Sequence, residues 1–278
     1  MRHWISIGAF AVAALSAVAA WAGPSVQFRG AAVRVVVIPE ARRDVAVMVL
    51  RNARGLPLKI RRAGDRVTIT GTVARGIRGC VVVGKRQYVR IWNRGDTVVE
   101  ALPQIVLRTP TSVRISAGDA VFGSVGRSGS LDLTNQGCGT WTVADVAGRM
   151  HVDQTGPGTI RTGTALVADL NVALAGVLQT QGITRGVTAV SSGDGEITVA
   201  AMNGPLDARV AGAGAIRIKA GEASTLAASI AGSGEIEFAG KAGSLNATIA
   251  GSGHVRVAAV AGGVKKQVYG AGDISIGR

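Results

Sequence analysis

A Gly-x-Gly step recurs through the second half of this chain, at Gly137, Gly156, Gly193, Gly212, Gly232, Gly251 and Gly270. The gaps between copies are 19, 37, 19, 20, 19 and 19 residues, and the gap of 37 holds one degenerate copy around Gly176. Apolar residues keep fixed places around these glycines. Six positions before stand Leu131, Met150, Leu170, Val187, Leu206, Leu226, Leu245 and Val264; two before stand Val210, Ile230, Ile249 and Val268; four after come Trp141, Ile160, Ile197, Ile216, Ile236, Val255 and Ile274. Every offset is even, so the chain alternates inside and outside with the period of a strand, on both sides of a glycine corner. A 19-residue unit that can bury its apolar side only against its neighbours describes a solenoid. The expected fold is all-β, a parallel β-helix with one repeat per coil. Right-handed coiling follows from the crossover rule, and at about 4.8 Å per coil the rod is roughly 40 Å long.

The aligned coils predict which side chains become neighbours. Arg217, Glu237 and Arg256 fall in one outward column and are expected to form a surface charge ladder. Lys266 falls in the inward column held by Ala189, Ala208, Ala228 and Ala247 in earlier coils. An inward charge in the last coil would act as a gatekeeper against edge-to-edge association; a register slip in that coil is the other reading.

The Gly-Ser-Gly-Glu-Ile and Gly-Ser-Gly-His-Val runs at 232–236 and 251–255, the Leu-x-Ala-x-Ile run before each, and the early strand Val33 to Ile38 carry a resemblance. Over roughly residues 31–278 the chain resembles the putative auto-transporter adhesin, head GIN domain family. The resemblance implies a right-handed β-helix on or outside a bacterial membrane and brings no catalytic residues with it. The degenerate coil at 170–186 departs from the family's simple pattern.

Three regions follow. Residues 1–22 read as a secretory signal, with Arg2 ahead of an apolar stretch from Ile5 to Ala20 and a small-x-small step at Ala20-Trp21-Ala22. The apolar run is shorter than the about 20 residues that a spanning helix needs, although an uncleaved anchor is the alternative. The first cysteine is Cys80, so no lipoprotein cysteine stands at the cleavage point. Residues 23–112 form a basic β-rich region, either wide first coils or a cap on the solenoid's first edge, and residues 113–278 hold the repeats. The mature excess of charge lies in the first part: residues 23–114 contain 18 Lys and Arg against 5 acids, a net of +13, while residues 115–278 contain 12 of each. Arg51, Arg54, Lys59, Arg61 and Arg62 crowd two turns there and are the candidate contacts for an anionic partner: acidic polysaccharide, lipopolysaccharide or membrane headgroups. The competing view is a merely solvated strand face. Nucleic acid is a poor partner for an exported chain whose only mature tryptophans are Trp92 and Trp141.

Cys80 and Cys138 are the only cysteines, and outside the cytoplasm they are expected to form a disulfide rather than remain as buried thiols. Neither has a His or Cys neighbour at metal-ligand spacing, and no metal or other cofactor is expected. His151 and His254 lie in different coils with no nucleophile motif beside them, so no catalytic residues are assigned. Glu196, Glu235 and Asp273 share an outward column, but Ala215 and His254 intervene, which sets the acids about 10 Å apart, beyond the usual pairing for glycoside hydrolysis. The sequence therefore points to a non-catalytic exported envelope or surface protein with a binding, adhesion or scaffolding role, its oligomeric state unspecified. The alternative is a polysaccharide-active β-helix enzyme, a lyase or glycoside hydrolase.

Overall fold

The computed structural model describes residues 23–73 and 76–277; the leader expected over residues 1–22 lies outside them. The first part of the chain supplies β1 (Ser25–Arg29), β2 (Ala32–Glu40), β3 (Ala46–Arg51), β4 (Lys59–Ala63), β5 (Arg66–Thr70), β6 (Ile77–Val83), β7 (Arg86–Ile91), β8 (Gly95–Val98), β9 (Gln104–Pro110), β10 (Ser112–Ala117) and β11 (Ala120–Val125). From β10 and β11 onward each coil lays one strand on a first face and one on a second, and successive coils pair in parallel down to Val264–Gly270 and Asp273–Ile276. The protein is a parallel β-helix of about 9 turns with a spacing of about 19 residues. Short pairings such as Met202 with Gly221 close a third side.

The even offsets translate directly into core columns. Trp141, Ile160, Leu178, Ile197, Ile216, Ile236, Val255 and Ile274 stand one above another in an unbroken register, all buried. Each such side chain contributes about 1.5–3 kcal/mol by leaving water, and it does so only because a neighbouring coil covers it.

The degenerate coil keeps this geometry, with one correction to the expected register. Leu174, not Gly176, pairs with Gly193 and occupies the first-glycine position of the corner. The column six positions earlier therefore runs Leu131, Met150, Ala168, Val187, while Leu170 pairs with Val152. The miss has a physical cause: a leucine there adopts the left-handed backbone, φ 56°, that glycines hold in the later coils. The corner glycines divide into two kinds. Gly193, Gly212, Gly232, Gly251 and Gly270 have φ between 99° and 134°. Gly137 and Gly156 are set instead by close approach, because a Cβ at either would run into a carbonyl oxygen of the coil below.

At the basic end the order of coils departs from the order of the chain. β1 and β2 form a coil that pairs with β10 and β11 on one side. On its other side lie β5, parallel to β1, and β9, parallel to β2. The outermost strands reverse direction: β4 runs antiparallel to β5, and β3 antiparallel to β9. Between β5 and β9 the chain leaves the stack to form the antiparallel sheet β6–β7–β8. That sheet packs on the outside of the solenoid through a smaller core, in which Val89, Ile91 and Leu102 meet Ala32, Ala120 and Phe122. A disulfide joins Cys80 on β6 to Cys138 at a solenoid corner, with the Cα atoms 5.6 Å apart.

Candidate functional site

Strand alternation sorts the cations of the basic end. On β5, Val67 and Ile69 enter the core, so Arg66, Thr68 and Thr70 point outward. Register carries the outward set to Ser25, Gln27 and Arg29 on β1 and to Lys59 and Arg61 on β4. The outer flank of these three strands thus presents Arg29, Lys59, Arg61 and Arg66 among Gln27, Thr68 and Thr70. All four cations are exposed, and none has an ion-pair or side-chain hydrogen-bond partner among the described residues. Neighbouring strands lie about 4.8 Å apart and alternate residues about 7 Å apart, so the cations form a flat field rather than a pocket. At its border Arg114 is tied to Asp132 at 2.7 Å, beside a depression of about 290 Å³ lined by Ser25, Asp65 and Arg66.

The five cations singled out in the sequence do not all meet in this field. Lys59 and Arg61 stand in it. Arg62, on the same strand, pairs with the inward-facing Val67, so its parity is opposite to that of the outward field. Its charge helps hold the Asp44 carboxyl below its ordinary range, an effect owed first to the hydrogen bond from Arg42. Arg51 donates to the backbone carbonyls of Glu100 and Leu102, the latter at 2.7 Å, and so fixes the turn ahead of β9. Arg54 is exposed in the β3–β4 connection, where its carbonyl accepts from Arg94 at 2.8 Å. Arg29 and Arg66 complete the field and were not singled out; the signal was the parity of Val26 and Phe28 and of Val67 and Ile69, which turns both arginines outward.

The opposite end is also marked by a cation. Lys266 stands beside Ala247 in the inward alanine column, and its Nζ donates to the carbonyl oxygen of Ile274 at 2.9 Å, reaching from the first face to the second across the end of the core.

Two of the three outward acids are tied up. Glu196, Ala215, Glu235, His254 and Asp273 do share one register, but Arg217 bridges Glu196 at 2.9 Å and Glu235 at 3.0 Å. Arg217, Glu237 and Arg256 fall in the expected column. Their shorter ion pairs run diagonally, however, with Arg256 also meeting Glu235. On the first face His151 Nε2 lies 3.1 Å from Asp153 Oδ2, while Asn171 donates to Oδ1 of the same carboxylate at 2.8 Å. The hydrogen bond to Asp153 raises the His151 imidazole above its ordinary value. Burial pushes Asp153 upward, but its bonds with His151 and Asn171 hold it below the usual carboxylate range. Among the described residues no group of three or more His, Cys, Asp or Glu is placed to hold a metal ion, and no helix is long and apolar enough to cross a membrane.

Residues 206–277 match the model of a family described as putative auto-transporter adhesin, head GIN domain. The resemblance carried by the repeats at 232–236 and 251–255 is thereby shown, over a stretch narrower than residues 31–278. Among solved structures the chain is similar to a putative lipid binding protein from Parabacteroides distasonis, at 17% identity over 92% of this chain and 93% of that one, with a TM-score of 0.49. It is also similar to a putative adhesin from Bacteroides fragilis, at 12% identity over 91% and 92% of the two chains and a TM-score of 0.33. A putative cell adhesion protein from Clostridium sporogenes is 8% identical over 89% and 92%, with a TM-score of 0.21. No curated protein matches the chain.

Proposed function

We propose that this protein is an exported, non-catalytic envelope or surface protein that binds an anionic partner through the flat cationic flank at its basic end, the rest of the solenoid serving as a scaffold. The partner class is acidic polysaccharide, lipopolysaccharide or phospholipid headgroups. The reading rests on one observation: Arg29, Lys59, Arg61 and Arg66 share one face and none of them forms an ion pair with a carboxylate among the described residues, whereas Glu196 and Glu235, in the neutral half, are bound by arginine. A surface role agrees with the adhesin-head family matched by the last coils. Part of the field has a further use, since Lys59 and Arg61 lie on the outermost strand and keep its unpaired edge from joining another sheet.

Retention on immobilised dextran sulfate at about 0.05 M salt, where screening is weak, tests the reading. The protein is expected to bind and to be released as salt rises, and the variant Lys59→Gln/Arg61→Gln/Arg66→Gln to lose at least about 10-fold in affinity. Absence of binding by the parent protein, or equal binding by the variant, contradicts it.

A further inference from the structure

We propose that the tip of the β6–β7 hairpin is a membrane-docking element, which seats Val82 and Val83 in the interfacial layer of an anionic phospholipid bilayer while Lys85 and Arg86 meet the headgroup phosphates. The proposal rests on the reading that the basic half faces an anionic partner, and it names that partner at a second place on the surface. The tip reads Val81-Val82-Val83-Gly84-Lys85-Arg86, with Val83 paired to Arg86 and Gly84 turning at φ 61°.

Val82 and Val83 are 66% and 64% exposed, more than any other valine among the described residues. As consecutive strand residues they point to opposite sides of the hairpin, and both remain in water, so no core accounts for this apolar run. Val82 overhangs a crevice of about 140 Å³ above Phe122, Pro157 and Thr159. The hairpin is tied to the solenoid by the Cys80–Cys138 disulfide, and Gln87, the cross-strand neighbour of Val82, meets Thr140 at 3.5 Å. A tip already fixed in place loses little conformational freedom on docking.

The side-chain chemistry selects the partner. Valine offers neither a hydrogen bond nor a flat ring to a sugar, and gains free energy only by leaving water. Lys85 and Arg86 are exposed beside it and have no carboxylate partner among the described residues. Apolar side chains backed by cations fit the boundary between acyl chains and anionic headgroups. A second copy of the chain would bring these cations against each other.

Four measurements decide the matter: partition to phosphatidylcholine vesicles with and without phosphatidylglycerol, retention on dextran sulfate, mass by light scattering, and quenching of an introduced tryptophan by brominated acyl chains. The parent protein should bind the vesicles that contain phosphatidylglycerol. Val82→Ser/Val83→Ser should weaken that binding roughly 10-fold while leaving dextran sulfate retention unchanged. A tryptophan reporter, Val83→Trp, should be quenched by brominated acyl chains beyond the parent's own emission. If the serine variant partitions like the parent while Lys59→Gln/Arg61→Gln/Arg66→Gln loses retention on both probes, the tip proposal fails and the cationic-flank reading stands. A parent that ignores both probes sinks both. A change of mass in the tip variants would mean a seam between two copies, and would also overturn the proposal.

Discussion

Leu174 stands directly beside Gly193 in the corner column and shares its positive φ, at 56° against 99°. A leucine in the left-handed region costs about 1–2 kcal/mol, and this one recovers little by burial, being 65% exposed. Glycine at the same place relieves the strain but adds freedom to the unfolded chain, worth about 0.4–1 kcal/mol. Leu174→Gly is therefore expected to raise unfolding stability by up to about 1.6 kcal/mol. Gly212→Ala, where φ is 121° and a Cβ would meet the Gly193 carbonyl, should lower it by about 2 kcal/mol or more. Urea unfolding of both variants checks the pair; a destabilised Leu174→Gly would contradict the assignment of strain.

Reduction of Cys80–Cys138 is expected to act on the appended sheet before the solenoid. The two cysteines are 58 residues apart, and chain entropy assigns such a loop about 4 kcal/mol. Once the tether is cut, the β6–β8 sheet is held by its small core and by a few polar contacts such as Gln87 with Thr140 and Arg94 with the Arg54 carbonyl. Limited proteolysis under reducing conditions should cleave within residues 76–98 while the far-UV signal of the solenoid persists. Loss of both together would show that the sheet and the rod unfold as one unit.

The His151–Asp153 contact gives a pH dependence with a defined sign. The folded imidazole has a raised pKa, so its contribution is full below the ordinary value of about 6.5 and is lost as pH rises through the higher folded value. Asp153 has a lowered pKa, so its contribution is present above about 3.8 and lost as pH falls through the lower folded value. Stability from this pair is expected to peak between these limits. Asp153→Asn should flatten the fall on the alkaline side, and thermal melts across pH 5 to 9 read it directly.

Lys266, the gatekeeper expected from the sequence, stands at the end where Val264 and Val268 are 46% and 42% exposed. Replacing it by valine extends the alanine and valine columns to the edge and removes the charge from the open core. Lys266→Val is expected to associate at concentrations where the parent does not, as seen by light scattering, with an unchanged far-UV spectrum. Equal association of the two proteins would remove the gatekeeper role.

Much of this architecture is legible in the residues. Even spacing around Gly212, Gly232 and Gly251 yields the core columns without ambiguity, because a slip of one residue would turn Leu206, Ala208 and Val210 into water. Two lone cysteines in a chain that reads as exported lead to the expectation of a disulfide, and Cys80 and Cys138 form one. Other features escape because they depend on what the chain meets in space. Leu174 hides a corner because its backbone imitates glycine. The insertion of β1 and β2 beneath β5 and β9 leaves no local trace, since long-range order is not written in turn residues. For the same reason Lys59 was grouped with Arg51, its neighbour along the chain, although register places it beside Arg29 and Arg66.

The central claim is that position, and not total charge, makes the basic end a binding surface. It is tested most directly by comparing two variants of equal charge on dextran sulfate: Lys59→Gln/Arg61→Gln/Arg66→Gln on the flank, and Lys219→Gln/Lys241→Gln/Lys265→Gln, which neutralises three exposed lysines of the neutral half. The account predicts at least about 10-fold weaker binding for the flank variant and less than about 2-fold for the distal one. Equal losses would contradict it.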